Sequence, residues 1–364
     1  MIVIGTDTHK LTHTCGAVFA GTGQLAGELT AAAREPGFRQ LLGWGRELDE
    51  ERVWAIEDCR HVSGSFERFL VASGEQVVRV PPKLMGESRR GERSAGKSDP
   101  IDALAIARAA LREGPETLPA AYLDKNAMQV KLLLDHREDL VKARSEDQCR
   151  LRWHLHDLWP ELEIPAGALD RMVWLERVAR KLARTEQGTR VQIARELVVE
   201  IRRRTRRAKE LEREIGALVK AQTPELLALE GCGALTAAKL IAETAGAERL
   251  TSDAKFARLA GVAPIPASSG KRDRHRLDRG GNRQLNCALH RIAVTQGRAH
   301  PPARDYLARK QAEGKSRIEA IRCLKRHLAR RVWRLLIDSE IDLSVSNPVN
   351  PQRGSLAPQI AAVA

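Results

Sequence analysis

A chain of 364 residues, 43% hydrophobic but only 4% aromatic, is long enough for two or three domains with cores of their own. Its net charge of +14 implies a polyanionic partner, and residues 271–334 alone hold 19 Lys/Arg against 5 Asp/Glu, so the remainder of the chain balances to zero. Six scattered cysteines without a Cys-x-x-Cys pair argue against a zinc site or a disulfide framework, and neither a signal peptide nor an apolar run of membrane-spanning length is present, so a cytoplasmic, nucleoid-associated protein with no membrane partner is expected.

The opening residues read as strands: an apolar run over 2–7 ending in Asp7, a second over about 12–20, a Gly21-Thr22-Gly23 turn, and a third near 24–30. A helix fits 36–47, with Phe38, Leu41, Leu42 and Trp44 on its apolar side. Val53-Trp54-Ala55-Ile56 is a short strand running into Glu57 and Asp58. A helix then covers about 64–73, and a strand over 76–80 is ended by Pro81-Pro82. A basic loop with Arg89, Arg90, Arg93 and Lys97 leads into Lys97-Ser98-Asp99-Pro100-Ile101-Asp102-Ala103, where another helix begins. Pro100 suits the first helical position, and Asp99 and Asp102, three apart, share one face of the first turn. Taken alone, an N-cap at Asp99 with an acid at N3 explains this pair.

Three meandering strands, helix, strand, helix, strand, helix is the element order of an RNase H-like α/β domain, here 1–120. In that architecture acids at the end of the first strand, the end of the fourth and on the last helix converge. Asp7, Glu57, Asp99 and Asp102 fall at those places. Four such carboxylates suit two Mg²⁺ ions that orient the attacking and leaving oxygens of phosphoryl transfer. Strand faces alternate, so only one of Glu57 and Asp58 points into the site.

From 121 to 222 the chain is helical and charged. One helix fits about 124–158, with a break between Pro160 and Pro165. Leu197, Ile201, Ala208, Leu211, Ile215 and Leu218 then recur at the spacing of a long amphipathic or coiled-coil helix. Leu229-Glu230-Gly231-Cys232-Gly233-Ala234 is like a helix-hairpin-helix turn that could approach a phosphate, and equally like a plain connection. Gly261-Val262-Ala263-Pro264 leads to Ser268-Ser269-Gly270 and a basic hairpin-like stretch with Lys271, Arg272, Arg274 and Arg276. Arg279 and Arg283 follow at a helix start, and a helix near 316–336 carries Arg322, Lys325, Arg326 and Arg330. These cations form a candidate phosphate-binding surface in a mainly α region, 223–342. Residues 343–364 read as a disordered tail.

In order and spacing, Gly5-Thr6-Asp7, Ala55-Ile56-Glu57, Lys97-Ser98-Asp99-Pro100-Ile101-Asp102-Ala103, Gly261-Val262-Ala263-Pro264 through Ser269-Gly270, and Gly281-Asn282 resemble the DEDD-type insertion-sequence transposases. This is the one-ten family, which includes the Piv invertase and the bridge-RNA-guided recombinases. The resemblance implies a RuvC-like domain joined by a coiled coil to a transposase domain with a serine nucleophile. By position Asp7, Glu57, Asp99 and Asp102 are the metal-binding acids and Ser269 is the serine, with Ser268 as the fallback. It also implies double-stranded donor and target DNA, a structured non-coding guide RNA, and dimers that assemble into a tetramer. Two positions depart from the family pattern. Asp58-Cys59-Arg60 stands where a small Thr-Gly pair is usual, and Asn286 follows Leu285 where an arginine is usual, which removes one phosphate contact. The alternatives are a RuvC-like endonuclease that uses water, and a non-catalytic nucleic-acid-binding protein in which the acids are caps and strand ends.

Overall fold

The computed structural model describes residues 1–57, 64–81, 84, 98–118, 120–121, 125–247, 250–267, 275–276, 278 and 280–346. β1 (Ile2–Thr8), β2 (Thr12–Phe19) and β3 (Leu25–Ala32) form an antiparallel meander. α1 (Glu35–Leu48) leads to β4 (Arg52–Glu57), which lies parallel to β1. After α2 (Gly64–Ala72), β5 (Val77–Val80) adds parallel to β4, giving a five-stranded sheet of order β3-β2-β1-β4-β5. This mixed sheet is consistent with the RuvC-like start expected from the sequence.

β1 is buried along its whole length because both faces of the sheet are covered, which is why it reads as an unbroken apolar run. On one face Ile2, Ile4, Trp54 and Ile56 pack against Phe38 and Leu41 of α1 and Phe66 and Leu70 of α2. On the other, Val3, Val53, Ala55 and Val80 meet Ala105, Ile106, Ala109 and Ala110 of α3 (Asp99–Glu113). The alanine-rich face of α3 lets the helix sit on the sheet backbone itself. A Cβ placed on Gly5 would lie 2.1 Å from the Ala103 carbonyl oxygen and 2.4 Å from the Ala107 nitrogen.

Two helices of 34 residues follow, α4 (Lys125–Leu158) and α6 (Thr189–Gln222), with α5 (Met172–Ala183) between them. Ion pairs Arg137–Glu212 (3.2 Å), Asp147–Arg204 (3.0 Å) and Asp157–Arg190 (2.5 Å) fix the long pair as antiparallel. At 1.5 Å per residue each spans about 50 Å. The buried seam of α6 runs through Val191, Ala194, Val198, Ile201, Thr205, Ala208, Leu211, Ile215 and Val219. Leu197 and Leu218, expected on it, lie beside it and are only partly buried.

The rest is α7 (Pro224–Ala228), α8 (Ala234–Thr244), α9 (Asp253–Leu259), a short antiparallel pair β6 (Ile265–Pro266) and β7 (His275–Arg276), α10 (Arg283–Ala299), α11 (Pro301–Ala312) and α12 (Arg317–Ser346). These helices share one core with the foot of the long pair, through Val130, Leu134, Ile215 and Val219. Gly231, in the turn before α8, has φ of +80°, and a Cβ there would lie 3.0 Å from Thr295 Cβ, so this turn packs onto α10. α12 runs to Ser346, past the expected start of the tail at 343. Residues 347–364 lie outside the described residues.

Candidate active site

The acids gather where β1 ends against the start of α3. Asp7 is 7% exposed, and its Oδ2 accepts from His9 Nε2 at 3.1 Å. The same His9 nitrogen lies 3.2 Å from Asp99 Oδ1. One ligand atom each from Asp7, His9 and Asp99 falls within 4.8 Å of the others, an arrangement able to hold a metal ion. Asp102, one turn along α3, is buried and close enough for its charge to act on Asp7. Burial pushes the Asp7 carboxyl up, and the negative charges of Asp102 and Asp99 add to this against a partial offset from His9. A buried carboxylate crowded by two others fits a cation, and a set of mostly carboxylate oxygens suits a hard divalent ion.

Glu57 closes β4 and is partly buried. Thr6 pairs with Ile56 across the parallel strands, so Asp7 and Glu57 each stand one position further on. By alternation Glu57 follows Val53 and Ala55 onto the face covered by α3, the face that Asp7 shares with Val3. Asp58 and the stretch to Arg60 lie outside the described residues, as do Arg89, Arg90, Arg93 and Lys97.

The helix start differs by one residue from the sequence expectation. Ser98, extended and without a side-chain capping bond, is the N-cap, and Asp99 is the first helical residue. The reason is the first helical hydrogen bond, from Asp102 N to Ser98 O at 3.0 Å. Asp99 is thereby released from capping and meets His9 instead. His9 itself was missed by the sequence reading. The signal was a histidine two residues after the strand-end acid.

The basic region divides differently from its sequence pattern. Arg276 on β7, Arg283 at the start of α10, and Arg322 on α12 are exposed. Arg326 and Arg330 pair with Asp253, at 3.3 and 2.7 Å. Lys325 is only 4% exposed. Lys271, Arg272, Arg274, Arg279, Ser268 and Ser269 lie outside the described residues. Gly261 and Gly281 face each other: a Cβ on Gly281 would come 2.2 Å from the Gly261 nitrogen. Asn282 caps α10 through Gln284 N (2.8 Å) and Leu285 N (3.1 Å) and donates to Glu243 (2.7 Å). Asn286, where an arginine was expected, donates to the carbonyls of Ala260 (3.0 Å) and Gly261 (2.9 Å) and accepts from Lys325 (2.5 Å). It ties the turn after α9 to α12.

A mixed sheet carrying acids at one end, followed by a basic helical region, is the layout of an enzyme that acts on nucleic-acid phosphates. Comparison with known proteins narrows this class. A DEDD-type IS110 family profile described as "Transposase" matches residues 4–160, and one described as "Transposase IS116/IS110/IS902 family" matches 224–308. The chain is 27% identical to the insertion element IS116 44.8 kDa protein of Streptomyces clavuligerus and 24% identical to the IS900 42 kDa protein of Mycobacterium paratuberculosis. Each match covers 93% of this chain and 96% of the relative. It is 34% identical to the IS110 43.6 kDa protein of Streptomyces coelicolor over 35% of this chain and 32% of that one. The chain belongs to the IS110 family of insertion-sequence transposases. No helix among the described residues is long and apolar enough to cross a membrane.

Proposed function

We propose that this transposase cuts and rejoins DNA through a serine ester, at a Mg²⁺ site of two ions held by Asp7, Glu57, Asp99 and Asp102. The observation that carries the reading is the meeting of Asp7, Asp99 and Asp102 where α3 rests on Gly5. Bound Mg²⁺ supplies Lewis-acid polarisation of the scissile phosphate. Asp7 and Asp102 are the buried members of the site, while Asp99 and Glu57 reach it from the helix start and the neighbouring strand.

Ser269 Oγ attacks the scissile phosphorus, with Ser268 as the fallback nucleophile. The Oγ–P bond forms as one P–O bond to deoxyribose breaks. The serine proton passes to solvent, and the released deoxyribose oxygen takes one up. A hydroxyl of the exchanging strand then attacks the phosphoserine and restores the serine, so nothing is hydrolysed. The net +14 of residues 271–334 supports double-stranded donor and target DNA as partners. Guidance by a structured non-coding RNA, and dimers paired into a tetramer through the 121–222 helices, complete the proposal on the family resemblance.

The test incubates labelled donor DNA with Mg²⁺ and wild type, S269A, S268A and D7A, and resolves the products under denaturing conditions. A protein–DNA adduct that S269A and D7A abolish and S268A retains is the expected result. Cutting that persists in S269A but not D7A points instead to water as the nucleophile. Binding that ignores both Mg²⁺ and D102A, with no cutting, leaves a non-catalytic binding protein.

A further inference from the structure

Between α11, α12 and the turn after α9 lies a cleft of about 400 Å³, within the range of small-ligand sites and roomy enough for one nucleotide. Lys325 forms part of its wall. Its ammonium donates only to the neutral Asn286 side chain and meets no carboxylate among the described residues. Burial pulls this ammonium down to about 8, and the Arg322 charge beside it adds to the effect. A buried cation without a counter-ion is costly to keep, and the cost is recovered where an anion arrives. Arg276 and Arg322 line the same cleft, exposed and likewise without a carboxylate partner among the described residues.

The two acids on the walls are engaged elsewhere. Asp278 accepts from Gly280 N at 2.9 Å and lies 3.6 Å from Arg258, while Glu319 accepts from the Ser316 amide (2.9 Å) and hydroxyl (2.7 Å). Tyr306, edge-on to His327 with ring centres 5.2 Å apart, supplies a flat apolar surface. β7 and Pro264, just before β6, border the cleft, and the chain that joins the two strands, residues 267–274, contains Ser268 and Ser269.

We propose that this cleft is the seat of one nucleotide of the bound strand, its phosphate held by Lys325 with Arg276 and Arg322 and its sugar and base set against Tyr306. The proposal rests on the reading of this region as nucleic-acid-binding. It differs from a general basic surface in placing a buried lysine on one defined phosphate.

The test uses full-length protein freed of nucleic acid, in EDTA so that the acid site is silent, titrated with labelled oligothymidylate and oligouridylate at rising NaCl. K325M is expected to weaken binding about tenfold. It is also expected to flatten the slope of log K against log salt by about 0.7, the single-strand value for one phosphate. Its melting temperature at neutral pH is expected to rise, since a buried uncompensated charge is removed. A larger loss on one oligomer assigns the seat to that kind of strand. Unchanged affinity and slope in K325M, with wild type binding, overturn the proposal. Absence of any binding by wild type strikes the nucleic-acid reading itself.

Discussion

Gly5 decides the geometry of the acid site without touching a ligand. Its missing side chain lets the Ala103 carbonyl and the Ala107 amide rest on β1. That contact sets how far the first turn of α3, with Asp99 and Asp102, stands from Asp7 two residues along. A methyl group at Gly5 meets backbone on the helix, which cannot rotate away as a flexible side chain would. G5A is therefore expected to cost about 3 kcal/mol by overpacking, read by denaturant unfolding, and to reduce DNA cutting by far more than the loss of folded protein accounts for. A G5A protein of unchanged stability and activity would show that the close approach is dispensable.

At the scale of elements, the sheet is pinned at the end opposite the acids by Glu75, between α2 and β5. Its side chain, 3% exposed, accepts from Arg52 (2.7 and 2.6 Å) and Trp54 Nε1 (3.0 Å). Burial alone would raise this carboxyl; the hydrogen bonds from Arg52 and Trp54 outweigh it and hold the group below the usual carboxylate range. A depressed carboxyl stabilises the fold above its unfolded value near 4.5, and the stability is lost as pH falls through the lower folded value. E75Q is expected to melt earlier than wild type at neutral pH, by about 1–3 kcal/mol. The gap should close as pH is taken below 4.5, which melting curves across that range would reveal.

The elements of the N-terminal domain were legible because their signals are local: apolar runs, Gly-rich turns and the proline at the start of α3. Asp7 and Asp99 could be placed together from strand and helix ends alone. Three features were hidden by non-local causes. The cap of α3 falls on Ser98, and the Asp99 side chain so released meets His9, which belongs to a different element. Lys325 sits in a run of cations that reads as a phosphate-binding surface, yet it is buried and donates to Asn286 reaching across from α10. Arg326 and Arg330 look free in sequence, yet Asp253, far earlier in the chain, holds both.

Across the whole molecule, charge and apolar surface are partitioned. The cations concentrate in the C-terminal helices, whereas large apolar side chains are exposed along the long helix pair. Trp153 on α4 is 74% exposed and Val199 on α6 is 60% exposed. The antiparallel register that matches Asp157 to Arg190 and Asp147 to Arg204 sets them at nearby levels. If self-association runs through this pair, W153E/V199E is expected to lower the mass measured by sedimentation to that of a smaller assembly while leaving the melting temperature unchanged. An unaltered mass would remove the helix pair from the assembly interface.

The antiparallel run of α4 and α6 also has a mechanical meaning. The chain leaves the C-terminal core after Leu134 and returns to it at Ile215, so a boom projecting about 35–40 Å begins and ends at one level of that core. Its reach is decoupled from the spacing between acids and basic cleft. Matched heptads could be spliced out of both arms, or a cargo fused near Gly188, and the two chemical halves would keep their distance while the projection of the boom is reset.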